Sequence, residues 1–413
     1  MYRGLTALAC GLLAGGCTLS RPHYVTPDVH VGELAFARSL EAQTQASPVA
    51  GNRAEILLNG DRIFPSMLSA IRRAKNTITF ANFVYEDGAI AREMAEALAE
   101  RCRAGVRTHV LLDAVGSDEM PLDLRALLQD ANCQVAWYHS LNPFAIKRIN
   151  HRNHRRILVV DGRVGFTGGT GVGEQWTGDG RHPGHWRQTD VRVEGPIVRA
   201  LQAAFAENWR DATGVLLGGD DYFPPLSRRG DLAIQSVKSS PAGGAAEAYI
   251  LFLMAIDGAR SSIQLTNPYF VPDAAMARAL AHAAQRGVDV SIITAGATQG
   301  VLDRLVKKAS QTHFARASKA GVKIYEYGPA LLHAKTMVVD GRWASIGSAN
   351  LDNRSFALNN ELNLVFIDRG IAAQLSEIFR QDLKSAKRVN EGSLRQGLSQ
   401  LFYLPLLPLR DQL

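Results

Sequence analysis

The chain has 413 residues, of which 46% are hydrophobic and 21% charged, and its formal net charge is +7. That composition excludes a disordered chain and fits a globular protein of two domains or one large duplicated unit. The basic balance favours an anionic partner, either a phospholipid surface or nucleic acid, without choosing between them.

Residues 1–17 read as a lipoprotein-like signal: Arg3, an apolar stretch from Leu5 to Ala14, then Gly15 and Gly16 before Cys17. The apolar stretch is too short to span a bilayer. Cys17 is the expected lipidation site, with Ala14 where such signals usually carry an aliphatic residue. The alternative is an uncleaved apolar N-terminus that touches a membrane. Residues 18–50 mix Pro, Thr, Gln, Ser and Ala with weak periodicity, as a tether does.

Residues 51–215 make a first domain. Helical spacing runs from Phe64 to Ala74, and Thr77 to Ala81 follows as a strand. An amphipathic helix from Ala89 to Ala104 stops at Gly105. A strand over Val106–Leu112, a helix over Leu122–Asp130 and a strand over Gln134–Tyr138 complete this stretch. Cys102 and Cys133 are expected as two buried thiols, a single disulfide in an oxidising compartment being the alternative. Their spacing makes no metal pattern.

Residues 216–245, rich in Gly, Pro and charge, read as the connection between domains. Residues 246–390 then repeat the order of the first domain. Ala255, Ile256, Ala259 and Ile263 match Ala70, Ile71, Ala74 and Ile78, and Asn267 falls opposite Asn82. Alternating strands and helices imply an α/β fold, with helices flanking a mostly parallel sheet in each domain. Residues 391–413 are an apolar tail whose Pro405 and Pro408 forbid a regular helix. A strap packed on the body and a segment dipping into lipid both fit it.

The chemistry lies in a repeated motif. His333 and Lys335 precede Val338-Val339-Asp340-Gly341-Arg342, and His154 and Arg156 precede Val159-Val160-Asp161-Gly162-Arg163, 179 residues earlier. Each reads as a buried strand ending in an Asp-Gly turn. Residues two apart on a strand share a face, which puts each imidazole beside a fixed cation. An imidazole and a cation facing a small Gly/Ser/Asn turn suit an oxyanion such as phosphate. Gly168 falls opposite Gly347, and Ser348 and Asn350 follow the latter. Asp161 and Asp340 sit in turns with parity opposite to their histidines, so their expected role is structural.

His-x-Lys, four residues, Asp, then Gly-Ser-x-Asn, present twice, resembles the phospholipase D superfamily. Within it the chain is most similar to bacterial cardiolipin synthases of the type without transmembrane helices. Gly165-Phe166-Thr167-Gly168-Gly169, Val193-Glu194-Gly195-Pro196, Leu265-Thr266-Asn267-Pro268-Tyr269-Phe270 and Asn350-Leu351-Asp352-Asn353-Arg354-Ser355 carry the likeness, which covers residues 52–390. It implies two tandem phospholipase D-like domains with the active site between them. It also implies a metal-free and cofactor-free transfer in which one histidine attacks phosphorus and the other moves protons, with His154 the nucleophile. The second motif is complete in His333, Lys335, Asp340, Ser348, Asn350 and Glu361. The first departs twice: Arg156 stands in place of Lys, and Gly171 in place of the Asn that Asn350 supplies in the second half. Glu361 and Asp190, each bordering a strand, are read as counterparts that accept hydrogen bonds from the catalytic imidazoles.

The expected function is phosphatidyl transfer making cardiolipin from phosphatidylglycerol at an anionic bacterial membrane, facing the periplasm through an N-terminal lipid anchor. Nucleic acid is the disfavoured partner. The competing readings are a hydrolytic phospholipase D, a superfamily nuclease, and a membrane-anchored binding protein with a degenerate site.

Overall fold

The computed structural model describes residues 24–139, 150–240, 246–296, 314 and 316–389. The leader with Cys17 and the apolar tail lie outside them. In chain order the strands are β1 (Val49–Leu58), β2 (Thr77–Asn82), β3 (Arg107–Asp113), β4 (Gln134–Tyr138), β5 (Ile157–Val160), β6 (Val164–Thr167), β7 (Thr189–Glu194) and β8 (Leu232–Ser239). The second half adds β9 (Ser262–Thr266), β10 (Phe270–Val271), β11 (Asp289–Ala295), β12 (Lys323–Tyr327), β13 (Thr336–Val339), β14 (Trp343–Gly347), β15 (Leu351–Asp352), β16 (Glu361–Ile367) and β17 (Ala386–Arg388). Fifteen of them form one sheet in the order β17-β12-β11-β9-β13-β14-β16-β8-β1-β7-β6-β5-β2-β3-β4.

That order is the duplication made visible. Reading outward from the central β1–β8 pair, β7, β6, β5, β2, β3 and β4 on one side match β16, β14, β13, β9, β11 and β12 on the other. The α/β architecture with two repeated halves is as expected, but the sheet is mixed rather than mostly parallel. Only β2-β3-β4 and β9-β11-β12 run parallel within their groups. The remaining neighbours pair antiparallel; within β5–β6 and β13–β14 the turns at Asp161-Gly162 and Asp340-Gly341 are too short for a crossover. Both residues of each turn have positive φ, 52° and 61° in one and 53° and 59° in the other, the geometry of a tight hairpin.

Both sheet faces are covered, which is why the motif strands read as unbroken apolar runs. Leu158 and Val160 join the core beneath the helices Asn59–Arg72 and Ala89–Arg103, while Ile157 and Val159 join the opposite core beneath Val198–Thr213 and Arg369–Lys384.

Three further expectations need correction. The connection at 216–245 contains β8, which pairs with both β1 and β16 and is the counterpart of β1. The segment ascribed to a tether is packed from residue 24 onward. Its helix Leu34–Thr44 buries Phe36 and Leu40 in the second half's core, and Phe36 meets the Trp343 ring edge-on at 6.4 Å. The stripe Phe36, Leu40, Thr44 has helical spacing that the surrounding Ala, Gln and Thr obscure. Finally, Cys102 and Cys133 are joined in a disulfide with a Cα–Cα distance of 5.5 Å. Cys102 lies in the last turn of Ala89–Arg103, which packs beside Leu122–Asp130, and that helix delivers the chain to Cys133 just before β4. Helix packing thus closes a gap that sequence spacing leaves open. Among the described residues no helix is long and apolar enough to cross a membrane.

Candidate active site

The two histidines sit just ahead of β5 and β13, and each is stitched to the other half. His154 N donates to Asn360 O at 3.0 Å, at the start of β16. His333 N donates to Arg187 O at 2.9 Å, just before β7. The same crossing produces parallel bridges from Asn153 to Asn360 and from Arg187 to Leu332. The halves therefore build one site between them, with both histidines only 6% exposed. The motif cations curl back alike: Arg156 Nη1 donates to His154 O and Lys335 Nζ to His333 O, each at 2.7 Å. Although His333 and Lys335 precede the strand, they stay side by side, with Lys335 Nζ 3.3 Å from each ring nitrogen.

Asp161 and Asp340 lie at the far ends of their strands. Asp161 accepts from the backbone N–H groups of Lys75, Asn76 and Thr77, and Asp340 from those of Arg260, Ser261 and Ser262. They pin each hairpin turn to the loop before β2 or β9, a structural task. Asp340 also binds His30 Nε2 at 2.8 Å, docking the N-terminal segment.

Glu361 is fully buried and takes the Nδ1–H of His154, at 2.8 and 3.0 Å to its two oxygens. Ser348 Oγ donates to Glu361 Oε2 at 2.5 Å and fixes the carboxylate. Asp190 does not play the matching part. It accepts from Gly169 N at 3.0 Å, and the partner of His333 Nδ1 is Gln188, whose Nε2 lies 2.5 Å away. The register explains this. Thr167 pairs with Val191, and its equivalent Ile346 pairs with Leu364. Three residues before Val191 and Leu364 stand Gln188 and Glu361, so those two are counterparts. Matching the halves by hairpin register, rather than carboxylate to carboxylate, finds Gln188 in the sequence.

Gly171 also has a local cause. A Cβ there would fall 2.7 Å from the Trp176 ring, so the indole occupies the space in which an asparagine side chain would start. Trp176 and Trp186 pack together at 4.5 Å, and their rings lie 6.2 and 5.3 Å from His333. Phe83 meets His154 edge-on at 5.1 Å and lies under the Arg156 guanidinium. Asp113, buried at the end of β3, accepts from Asn153 N and Arg152 Nη1 and so holds the segment that carries His154. Phe83 and Asp113 carry no motif signal in the sequence, because their contacts come from neighbouring strand ends.

The electrostatics favour an anionic substrate. Burial, reinforced by Arg156, Lys335 and Arg354, holds the His154 pKa well below the ordinary value. Burial, Lys335, Arg156 and His154 do the same to His333. Lys335 is held well below the usual lysine range, chiefly by burial and then by Arg156. Arg156 is brought down by burial to about 10 and stays charged at neutral pH. Burial pushes Glu361 up to about 7 and Asp190 up to about 6. Arg156 Nε, Trp176 Nε1 and Asn350 Oδ1 are buried polar atoms without a protein partner. Arg156 Nε and Trp176 Nε1 are donors and Asn350 Oδ1 an acceptor; a phosphodiester between the imidazoles would relieve the crowded cations and offer an acceptor to the unpaired N–H groups.

The family described as cardiolipin synthase, PLD-like domain, matches residues 67–180 and 252–383. A cardiolipin synthase A of Pseudomonas putida is 35% identical over 377 residues, 87% of this chain and 76% of that protein. A cardiolipin synthase A of Pseudomonas syringae is 37% identical over 362 residues, 86% of this chain and 74% of that one. In fold, a phosphatidylserine synthase of Haemophilus influenzae superimposes with a TM-score of 0.70 at 13% identity, covering 92% of this chain and all of that one. Two half-sites that share one buried, cation-lined pair of imidazoles agree with these likenesses: the chain belongs to the cardiolipin synthase family with PLD-like domains, and it is a phosphatidyltransferase of the phospholipase D superfamily.

Proposed function

We propose that the protein joins two phosphatidylglycerol molecules into cardiolipin and free glycerol through a phosphohistidine on His154. The observation that carries this reading is the buried His154–Glu361 hydrogen bond. A carboxylate on Nδ1–H leaves the Nε2 lone pair free and raises its basicity, the arrangement of an activated nucleophile. Nε2 attacks phosphorus, the glycerol of the donor leaves with a proton supplied through His333, and the acceptor hydroxyl loses its proton along the same route. Arg156 and Lys335 offset charge on the non-bridging oxygens. The site residues proposed are His154, Arg156, His333, Lys335, Ser348, Asn350 and Glu361, with Asp161, Asp190 and Asp340 supporting the frame.

Water competes with the acceptor, so transfer needs exclusion of water and a held acceptor. The buried imidazoles, with Trp176 and Trp186 packed beside His333 and Phe83 beside His154, suit that need. A membrane delivers the second lipid at high local concentration. The protein works there from an outward-facing position, anchored through lipid on Cys17, and the Cys102–Cys133 disulfide suits such an oxidising compartment. The test is to supply the purified protein with phosphatidylglycerol liposomes and follow lipid products and glycerol. Cardiolipin and glycerol in equal amounts are expected, with net product suppressed by added glycerol. Phosphatidic acid alone would replace this reading with a hydrolase, and DNA cleavage with lipid untouched would remove it.

A further inference from the structure

We propose that Asp382 is a positioning residue for His333 and that it acts through Arg187; the inference rests on the two-histidine transfer above. The segment that carries His333 hangs from residue 187. The Arg187 carbonyl accepts from His333 N at 2.9 Å and from Ala334 N at 3.1 Å, and Arg187 N donates to Leu331 O at 2.9 Å. Gln188, the next residue, carries the amide that meets His333 Nδ1. The place of residue 187 therefore sets both the backbone and the ring of His333. Its own side chain holds it there. Nε and Nη2 donate to the two oxygens of Asp382, each at 2.9 Å, and Nη1 donates to Asn59 Oδ1 at 3.2 Å and Thr189 Oγ1 at 3.1 Å. Every guanidinium nitrogen thus has a protein acceptor, and this buried cation serves the frame rather than the phosphate.

The other half-site follows the same plan with different side chains. Asn360, the counterpart of Arg187, accepts from His154 N, and its Nδ2 donates to Asn208 Oδ1 at 3.1 Å. Asn208 lies on the helix Val198–Thr213, which follows β7 as Arg369–Lys384, with Asp382, follows β16. Each histidine hangs from a residue of the other half, and a helix of the histidine's own half braces that residue. The braces are unequal. Beside His154, the fully buried Arg155 donates to Asn208 Oδ1 at 3.1 Å and to Glu361 O at 3.2 Å, so that segment has its own grip on helix and strand. Beside His333 the same place is taken by Ala334, which has no polar side chain to grip with. The second site relies on Arg187, and the two-point pairing with Asp382 supplies a fixed geometry. Removing the carboxylate leaves a buried charge unpaired, which drives the guanidinium toward water. A cavity of about 510 Å³ borders the pair, between Asn59, Arg181, Tyr327 and Lys384, and gives it room to go. The carbonyl that holds His333 shifts with it.

The test separates placement of His333 from general stability. Asp382→Asn keeps the shape and removes the charge. Adduct formation on His154 is timed per folded molecule with two donors: phosphatidylglycerol, whose glycerol must be protonated through His333, and phosphatidyl-p-nitrophenol, whose phenolate leaves unaided. A loss of about 10- to 10²-fold in kcat with the first donor is expected, the size of a small misplacement of a catalytic group, with KM within about twofold. The second donor should lose less than about threefold. Equal losses with both donors, or no loss with either, would make the pair a purely structural contact and overturn the proposal. Should Asp382→Asn fail to fold, Arg187→Lys keeps the charge pair without the two-point grip. It must show the same preference, at least about threefold, and equal rates with both donors would again overturn the brace. If the wild-type protein forms no histidine adduct from either donor, the underlying transfer reading falls with it. Adduct formation with a loss that ignores the donor removes the brace alone.

Discussion

In the first half-site the His154 imidazole gives its Nδ1–H to the Glu361 carboxylate and stands beside an arginine. In the second the His333 imidazole meets the Gln188 amide and stands beside a lysine. The backbone around them is alike, down to the cross-half bonds to Asn360 O and Arg187 O. A duplicated fold by itself gives two equal sites, but a two-step transfer needs unequal partners. The two halves differ at three places: Glu361 against Gln188 at the imidazole, Arg156 against Lys335 as the cation, and Gly171, crowded by Trp176, against Asn350. In the proposed transfer these departures would serve a division of labour between the halves.

The most severe way to break the comparison is to remove either imidazole. His154→Ala is expected to abolish both cardiolipin and the covalent adduct, a loss of at least about 10⁴-fold. His333→Ala abolishes product while the adduct still maps to His154 in a rapid quench, at a slowed rate. An adduct found on His333 would exchange the roles of the two halves.

Glu361→Gln makes the first half-site copy the second. A loss on the order of 10²–10³-fold in adduct formation is expected, because the group that accepts from His154 Nδ1–H loses its charge. The pH profile sharpens this. Burial raises the Glu361 carboxyl to about 7, so the charged form that orients His154 is present above that pH. Activity of the wild-type protein should fall as pH drops through about 7, and this limb should vanish in Glu361→Gln. An unchanged limb would assign the titration to another group.

Arg156→Lys equalises the cations. Its effect is expected to be about tenfold or less and to appear alike with good and poor leaving groups, since the nucleophile's half needs charge and no proton. A larger loss confined to the poor leaving group would move the acid to the first half. The smallest expected effect on chemistry comes from Cys102→Ser with Cys133→Ser. Chemical denaturation should show a loss of roughly 2–4 kcal/mol, typical for a structural disulfide, with the rate per folded molecule unchanged. A changed rate would tie the bridge to the site.

Much was legible in the chain. Local patterns recur wherever local physics decides: the apolar strand runs, the Asp-Gly hairpins and the repeated His-and-cation spacing. They yield the two halves, the α/β class and most of the site, and the helix Leu122–Asp130 and strand Gln134–Tyr138 have the expected bounds. Asp161 and Asp340 serve the turns, as their parity implied. Tertiary structure alone decided who meets whom. Glu361 reaches His154 across 207 residues and Gln188 reaches His333 across 145, and no local period encodes a partner at that range. The disulfide, the seat of Phe36 and Leu40, and the place of β8 between β1 and β16 follow the same rule. Each depends on how elements pack once both faces of the sheet are covered, and that packing exists only in the folded chain.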